Sequence, residues 1–313
     1  MKVVVVFTIS IILFGVKAWS AVRNPFEIEK EPQRTMHTIT DCMHVTSEEG
    51  DFLYRKEPEP PIIHQSSKRS SPMEVCGLYV IAAPEQIIEL SVKFSNIPCE
   101  SGALMFVDGW ELNGQYFPGI HDHHLDIKDR VKEFCNENFN WFPNYHIAPK
   151  IYRSSQNAAL IQYRIPLHGS FHVNVRFRTN PKPCHIMAEG LAPFYRLQSS
   201  EMSPNCTITA LFPAVVSILG LKVSRNTDLT NECTSKSGEV NQLSIGGSPG
   251  LDSFSMEKTS SICGHTDKVG PEQAIFCDVT SIRLESSSRA NNIALISVRP
   301  ATENDLDIAT LVC

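Results

Sequence analysis

His121-Asp122-His123-His124 places three imidazoles and a carboxylate within four residues, a donor set that zinc accepts. Zinc needs ligands that converge from separate arms, and adjacent residues seldom do so. No helix with histidines four apart frames the run, so the sequence reads it as a polar loop. His168-Gly169-Ser170 holds a base and a hydroxyl, yet its composition is that of a turn between strands. The sequence is read as having no G-x-S-x-G elbow and no glycine-framed nucleophile, no phosphate loop and no dinucleotide fingerprint. An activated thiol needs an unpaired cysteine, and the ten cysteines are an even number. The reading is of a non-enzyme with no catalytic residue, no metal ligand and no cofactor.

The compartment follows from the first residues. Lys2, an apolar run over 3–16 and the small residues Ala18 and Ser20 have the layout of a secretory leader, residues 1–20. The run is shorter than the roughly 20 residues a span requires. A second apolar stretch, 208–223, is broken by Thr209, Pro213 and Ser217 and suits core strands. The expectation is a secreted, extracellular chain without membrane insertion. Loss of the leader removes two lysines and no acid, moving the net charge from −6 to −8. That balance argues against nucleic acid, which wants a basic face. In an oxidising compartment the cysteines (42, 76, 99, 135, 184, 206, 233, 263, 277 and 313) read as five disulfides. Roughly 945 pairings are open, extending the combinatorial count for eight cysteines. The simplest joins neighbours in order. Asn205-Cys206-Thr207 is the one N-glycosylation acceptor.

The elements that must carry these residues are strands. Ile88, Leu90, Val92 and Phe94 alternate with Glu89, Ser91, Lys93 and Ser95, which predicts one buried and one wet face. Phe171, Val173, Val175 and Phe177 repeat the pattern, and 282–285 is a shorter case. The apolar run 103–107 predicts a strand buried on both faces, closed by an Asp108-Gly109 turn. A short helix is expected within 126–134, where Ile127, Val131 and Phe134 share a face. Cys99 before one apolar strand and Cys233 before another suggest an internal repeat. In that repeat the segments 153–165 and 284–299, each polar and serine-rich and running into an apolar strand, correspond. Residues 179–184 form a proline-bearing hinge, and 55–71, rich in Pro, Ser and charge, an exposed mobile loop. Lys68-Arg69 reads as two solvated bases rather than a processing site. Many short strands with Gly and Pro punctuation give an all-β fold of two antiparallel β-sandwich domains.

A cysteine, a short gap, an apolar strand and Asp-Gly resembles the CUB domain. Phe106-Val107-Asp108-Gly109-Trp110, the string from Arg153 to Ile165, that from Phe171 to Cys184, and Asn205-Cys206-Thr207-Ile208 are similar to the corticotropin-releasing factor-binding protein family. The resemblance runs from about Cys42 to Cys313. It implies two CUB-like domains, 37–179 and 183–313, after an N-terminal segment 21–36. It also implies five disulfides in sequential order and a glycan on Asn205. The implied function is to sequester CRF-related peptide hormones, here a CRF-like diuretic hormone in an invertebrate, and limit receptor activation. An extracellular CUB-type protein–protein adaptor is the alternative. Many CUB domains hold calcium near this turn. Here Asp108 stands, but Gly102 replaces the acidic residue six positions earlier, so the likeness does not carry a calcium site. Charged residues flanking the first cysteine serve ligand binding in the family. The matching positions are Thr38 and His44, both departures, and Asp41 between them is a substitute, so Asp41 and His44 are the expected peptide contacts. The ligand groove is expected between the two sandwiches or around Cys42.

Overall fold

The structure, a computed structural model, describes residues 35–56, 74–98, 100–134, 150–165, 168–200, 205–224, 233, 240–287 and 291–313. The leader, Lys68-Arg69 with most of the loop 55–71, Cys99 and Cys135 lie outside them. Thr35–Cys313 is one compact unit.

Its first part holds β1 (Met36–Thr38), β2 (Met43–Thr46), β3 (Gly50–Lys56), β4 (Cys76–Ile81), β5 (Gln86–Asn96) and β6 (Ala103–Asp108). There follow β7 (Trp110–Leu112), β8 (Gln115–Phe117), α1 (Ile127–Arg130), β9 (Val131–Glu133), β10 (Ile151–Arg153), β11 (Ala158–Arg164) and β12 (Gly169–Thr179). Two five-stranded sheets, ordered β1-β3-β12-β5-β10 and β2-β4-β11-β6-β9, face each other. Phe52, Leu90, Val173, Leu78, Leu104 and Ile161 meet between them, all fully buried. Each such side chain contributes about 1.5–3 kcal/mol of burial free energy.

The second part holds β13 (His185–Ala188), β14 (Tyr195–Gln198), β15 (Cys206–Ala210), β16 (Ala214–Val223), β17 (Gln242–Ser248) and β18 (Glu257–Ile262). It ends with β19 (Gly264–Thr266), β20 (Gln273–Phe276), β21 (Val279–Glu285), β22 (Ile293–Pro300) and β23 (Ala309–Val312). The sheets are β13-β15-β21-β17-β18 and β14-β22-β16-β20-β23. The all-β expectation holds, and the run 208–223 is two core strands.

The repeat shows in the ladders. β2-β4-β11-β6-β9 and β13-β15-β21-β17-β18 have the same order, each opening with a parallel edge pair and continuing antiparallel. A disulfide ties the start of each edge pair, Cys42–Cys76 in one and Cys184–Cys206 in the other. Cys233–Cys263 and Cys277–Cys313 are also bridged. The expected match of 153–165 with 284–299 is one strand out of step. The former enters β11, whose counterpart is β21, whereas the latter enters β22.

Three local expectations change. Phe94 is exposed, because a bulge at His172/Val173 pairs Val92 with Val173 but Phe94 with His172, which flips its face. Glu89 and Ser91 are buried on the supposedly wet face, Glu89 taking Arg153 and Arg178 onto its carboxylate. The helix at 126–134 is one turn, α1, after which the chain extends into β9 to pair with β6. Arg55 and Lys56 belong to β3, so the expected loop begins no earlier than residue 57.

Candidate functional site

The residues able to do chemistry gather where the two sandwiches meet. The string Arg153-Ser154-Ser155-Gln156-Asn157 leads into β11, and every member has a distant partner. Arg153 Nε donates to Glu89 at 3.0 Å. Ser154 Oγ accepts from Ile88 N at 2.8 Å. Ser155 donates through its backbone N (2.6 Å) and its hydroxyl (2.5 Å) to the Asp108 carboxylate. Gln156 Oε1 accepts from the amides of Cys184 (3.2 Å) and His185 (3.3 Å). Asn157, fully buried, donates to the carbonyls of Ala82 and Met187 at 2.9 Å and accepts from Met187 N at 2.8 Å. Two consecutive side chains thus act as backbone surrogates, joining β13 to the first sandwich. The segment 179–184 is fastened as well, Asn180 N donating to Glu85 O at 2.7 Å.

The Asp108-Gly109-Trp110 turn supplies the other wall of this seam. Gly109 has φ +102°, and a Cβ there would stand 1.9 Å from Phe117 O, so only glycine fits. Arg130, 1% exposed, lies under the turn. Its guanidinium donates to Asp108 O, Phe117 O and Pro118 O over 2.9–3.1 Å. Trp110 donates to Val80 O and packs edge-on against Tyr79. Phe117, Leu160, Met187 and Leu251 complete an apolar core shared by both sandwiches. The space between them is therefore filled here, which removes this stretch as a ligand groove.

The four residues 121–124 diverge. His121 packs against Phe254 of the second sandwich. Asp122 is wholly buried against Arg283 of β21 at 2.8 Å and accepts from Ser253 at 3.0 Å. His123 reaches Asp108 at 3.2 Å, and its Nδ1 accepts from Leu125 N. His124 stacks on His123. These side chains do not converge on a common point. Among the described residues, the grouping with ligand-atom spacing is Cys42, Glu74 and Cys76, whose thiols are consumed by their bridge.

Asp108, His123 and Ser155 have the composition of a hydrolytic triad but not its order. The carboxylate stands between serine and imidazole, whereas proton abstraction needs the imidazole between. One string the sequence reading passed over, Gly246-Gly247-Ser248-Pro249-Gly250, fits the letter of the nucleophile elbow. Ser248 is 3% exposed, ends a strand and donates to Gly250 O at 2.6 Å. It is a turn, not a nucleophile.

Burial governs the electrostatics. It pushes the Asp122 carboxyl up, by more than Arg283 lowers it. Burial also raises Asp108, but hydrogen bonds from His123 and Ser155 outweigh it and hold this carboxyl below the usual range. His185, 4% exposed, is pushed down to about 3 by burial, with the charge of Arg283 adding to it. It is neutral, with Nδ1 on Thr207 Oγ1 at 3.0 Å.

A second surface lies at the free edge of β2. Met43 and Val45, each 59% exposed, pair with Gly77 and Tyr79, and Val75 beside Cys76 is also exposed. His44 points the other way, edge-on to Phe52, and is half-buried, while Asp41 is exposed. The two expected contacts thus sit near one strip, with His44 partly turned into the core.

Residues 63–179 match the family described as the corticotropin-releasing factor binding protein N-terminal domain. Over 257 residues the chain is 27% identical to the corticotropin-releasing factor-binding protein of Xenopus laevis, covering 80% of this chain and 73% of that one. Over 286 residues it is 27% identical to the Ovis aries protein (90% and 81%), and over 271 residues 26% identical to the Homo sapiens protein (85% and 77%). Along most of its length the chain is thus similar to corticotropin-releasing factor-binding proteins. Solved structures similar to it include the CUB1-EGF-CUB2 domains of rat MASP-1, at 10% identity, 84% and 100% coverage and a TM-score of 0.24. The family match spans the β11 and β12 strings, so the Arg153–Asn157 joint lies inside the region that carries the family likeness.

The sequence reading missed Arg130, Asp122 and Arg283 as structural anchors. Asp122 and Arg130 stand in a polar, charged stretch after the Gly109-Trp110 turn, where no local pattern marks either of them out. Among the described residues no helix is long and apolar enough to cross a membrane.

Proposed function

We propose that this chain is a secreted protein that captures a CRF-related peptide hormone, of the CRF-like diuretic type, and withholds it from its receptor. The alignment to relatives named corticotropin-releasing factor-binding protein, running through both sandwiches, carries this reading. Capture needs affinity and no bond chemistry, which suits side chains spent on holding the fold. The contact surface is the β2 edge, where Met43, Val45 and Val75 offer an apolar strip beside the Cys42–Cys76 bridge. An amphipathic helix docks by laying its apolar face on such a strip. Asp41 at one end supplies a charge for orientation. The domain limits 37–179 and 183–313, the leader 1–20 and a Cys99–Cys135 bridge belong to the same reading.

Titration calorimetry of the secreted chain with synthetic CRF-like peptides tests it. Saturable heat at micromolar concentration or below supports capture. Heat equal to dilution for every such peptide, with a protein recovered on the chain by pull-down from the host's extracellular fluid, favours the adaptor reading instead.

A further inference from the structure

The acceptor tripeptide Asn205-Cys206-Thr207 is built into the fold in a way that fixes when it can be modified. Cys206 is fully buried and bonded to Cys184, 22 residues earlier. Thr207 is 1% exposed and lies in β15, flanked by His185 of β13 and Arg283 of β21. Its backbone N donates to Cys184 O at 2.9 Å, and its hydroxyl is engaged by the neutral His185 at 3.0 Å. Asn205 is half-buried, with its carbonyl 3.0 Å from Cys184 Sγ. A glycosyltransferase must reach the asparagine amide and the hydroxyl two residues on at once. Once the bridge closes and β15 is laid between β13 and β21, that hydroxyl is out of reach.

We infer that glycosylation of Asn205 and closure of Cys184–Cys206 compete, so that the glycan is added only to chains in which this bridge is still open. The inference rests on the secretory reading above. Transfer forms a bond from Asn205 Nδ2 to the anomeric carbon of a lipid-diphosphate-linked oligosaccharide. The carbon–oxygen bond to the diphosphate breaks, the lipid diphosphate leaves with the electron pair, and the amide proton passes to the enzyme's base. Timing makes the competition real. Cys184 enters the lumen ahead of Asn205, and at about 5–20 residues per second the gap is a few seconds at most. Disulfide formation takes seconds or longer. The two events therefore fall in the same window.

The full chain is expressed in a eukaryotic secretory host with a heterologous leader in place of residues 1–20. Endoglycosidase-sensitive mobility reads occupancy, and non-reducing peptide mapping reads the bridge. Secreted wild type is expected as a mixture of occupied and unoccupied forms. A pulse of dithiothreitol during synthesis raises the occupied fraction at least twofold, and Asn205→Gln abolishes the shift. Cys184→Ser raises occupancy in the same way; should that variant be retained in the cell, the reductant pulse still decides. Occupancy that ignores the pulse, whether absent or complete, overturns the inference. Absence of glycan even under the pulse, with the bridge formed when no reductant is added, overturns the inference and leaves the secretory reading standing. Absence of both glycan and bridge convicts the secretory reading.

Discussion

Arg283 of β21 and Asp122 of the loop after β8 stand 2.8 Å apart, with 3% and 0% of their side chains exposed. They come from different sandwiches and stand 161 residues apart in the chain. The pair, with Ser253 on Asp122 and Glu285 on Arg283, is a buried polar clasp across the seam.

Removing one member leaves the other charge stranded. Asp122→Ala is expected to lower unfolding free energy by about 3–5 kcal/mol, the usual cost of breaking a buried pair. Glu285 partly compensates Arg283, so the lower end is expected. Replacing both, Asp122→Leu with Arg283→Met, should recover most of the loss. Urea midpoints measure this; a double variant no better than the single would contradict the clasp.

Arg130→Met removes the donors from three buried carbonyls. Each unsatisfied group costs about 1–3 kcal/mol, so a loss of several kcal/mol is expected. Arg130→Lys should not rescue it, because an ammonium lacks the planar fork that spans Asp108 O, Phe117 O and Pro118 O. Denaturation followed by tryptophan fluorescence reports it, Trp110 lying next to the turn.

Acid should act on Asp108 and Asp122 with opposite sign. Asp108 titrates below its unfolded value, so its stabilisation is complete above the unfolded pKa of about 3.9 and is lost as pH falls through the folded pKa. Asp122 titrates above its unfolded value, so the native state gains protons first and stability falls as pH rises from about 3.9 through the folded pKa. Asp108→Asn should therefore flatten the acid limb of the stability–pH curve. Asp122→Asn should remove a component that declines with rising pH. Equal slopes in the two variants would show that the clasp and turn carboxylates do not differ in this way.

Met43→Ser with Val45→Ser changes only exposed side chains on an edge strand. Stability is expected to stay within about 0.5 kcal/mol for each. Peptide affinity should fall at least tenfold. Unchanged calorimetric affinity in a folded double variant would move the contact surface elsewhere.

The strands were legible because alternation is a local property. Ile88, Leu90 and Val92 announce their buried face within five residues, and Asp108-Gly109 announces its turn. What defeated the reading was information held in partners. The bulge that exposes Phe94 is a mismatch between β5 and β12 and is written in neither alone. The string 153–157 was noticed, but its work depends on residues 82, 88, 89, 108 and 184–187, which no local pattern supplies. Asp122 looked like one member of a donor cluster until Arg283, from β21, was seen to hold it.

Asn157 and Gln156 have a wider consequence. By lending their amides to the Met187, Cys184 and His185 backbone, they deny the molecule a pair of jaws. On the proposed function, such a protein does not clamp; it presents a preorganised face and lets the incoming peptide bear the loss of conformational freedom. Ligands already helical in solution should then bind more tightly than floppy ones of equal contact area, and discrimination among hormones would reside in their own folding tendency as much as in the surface they touch.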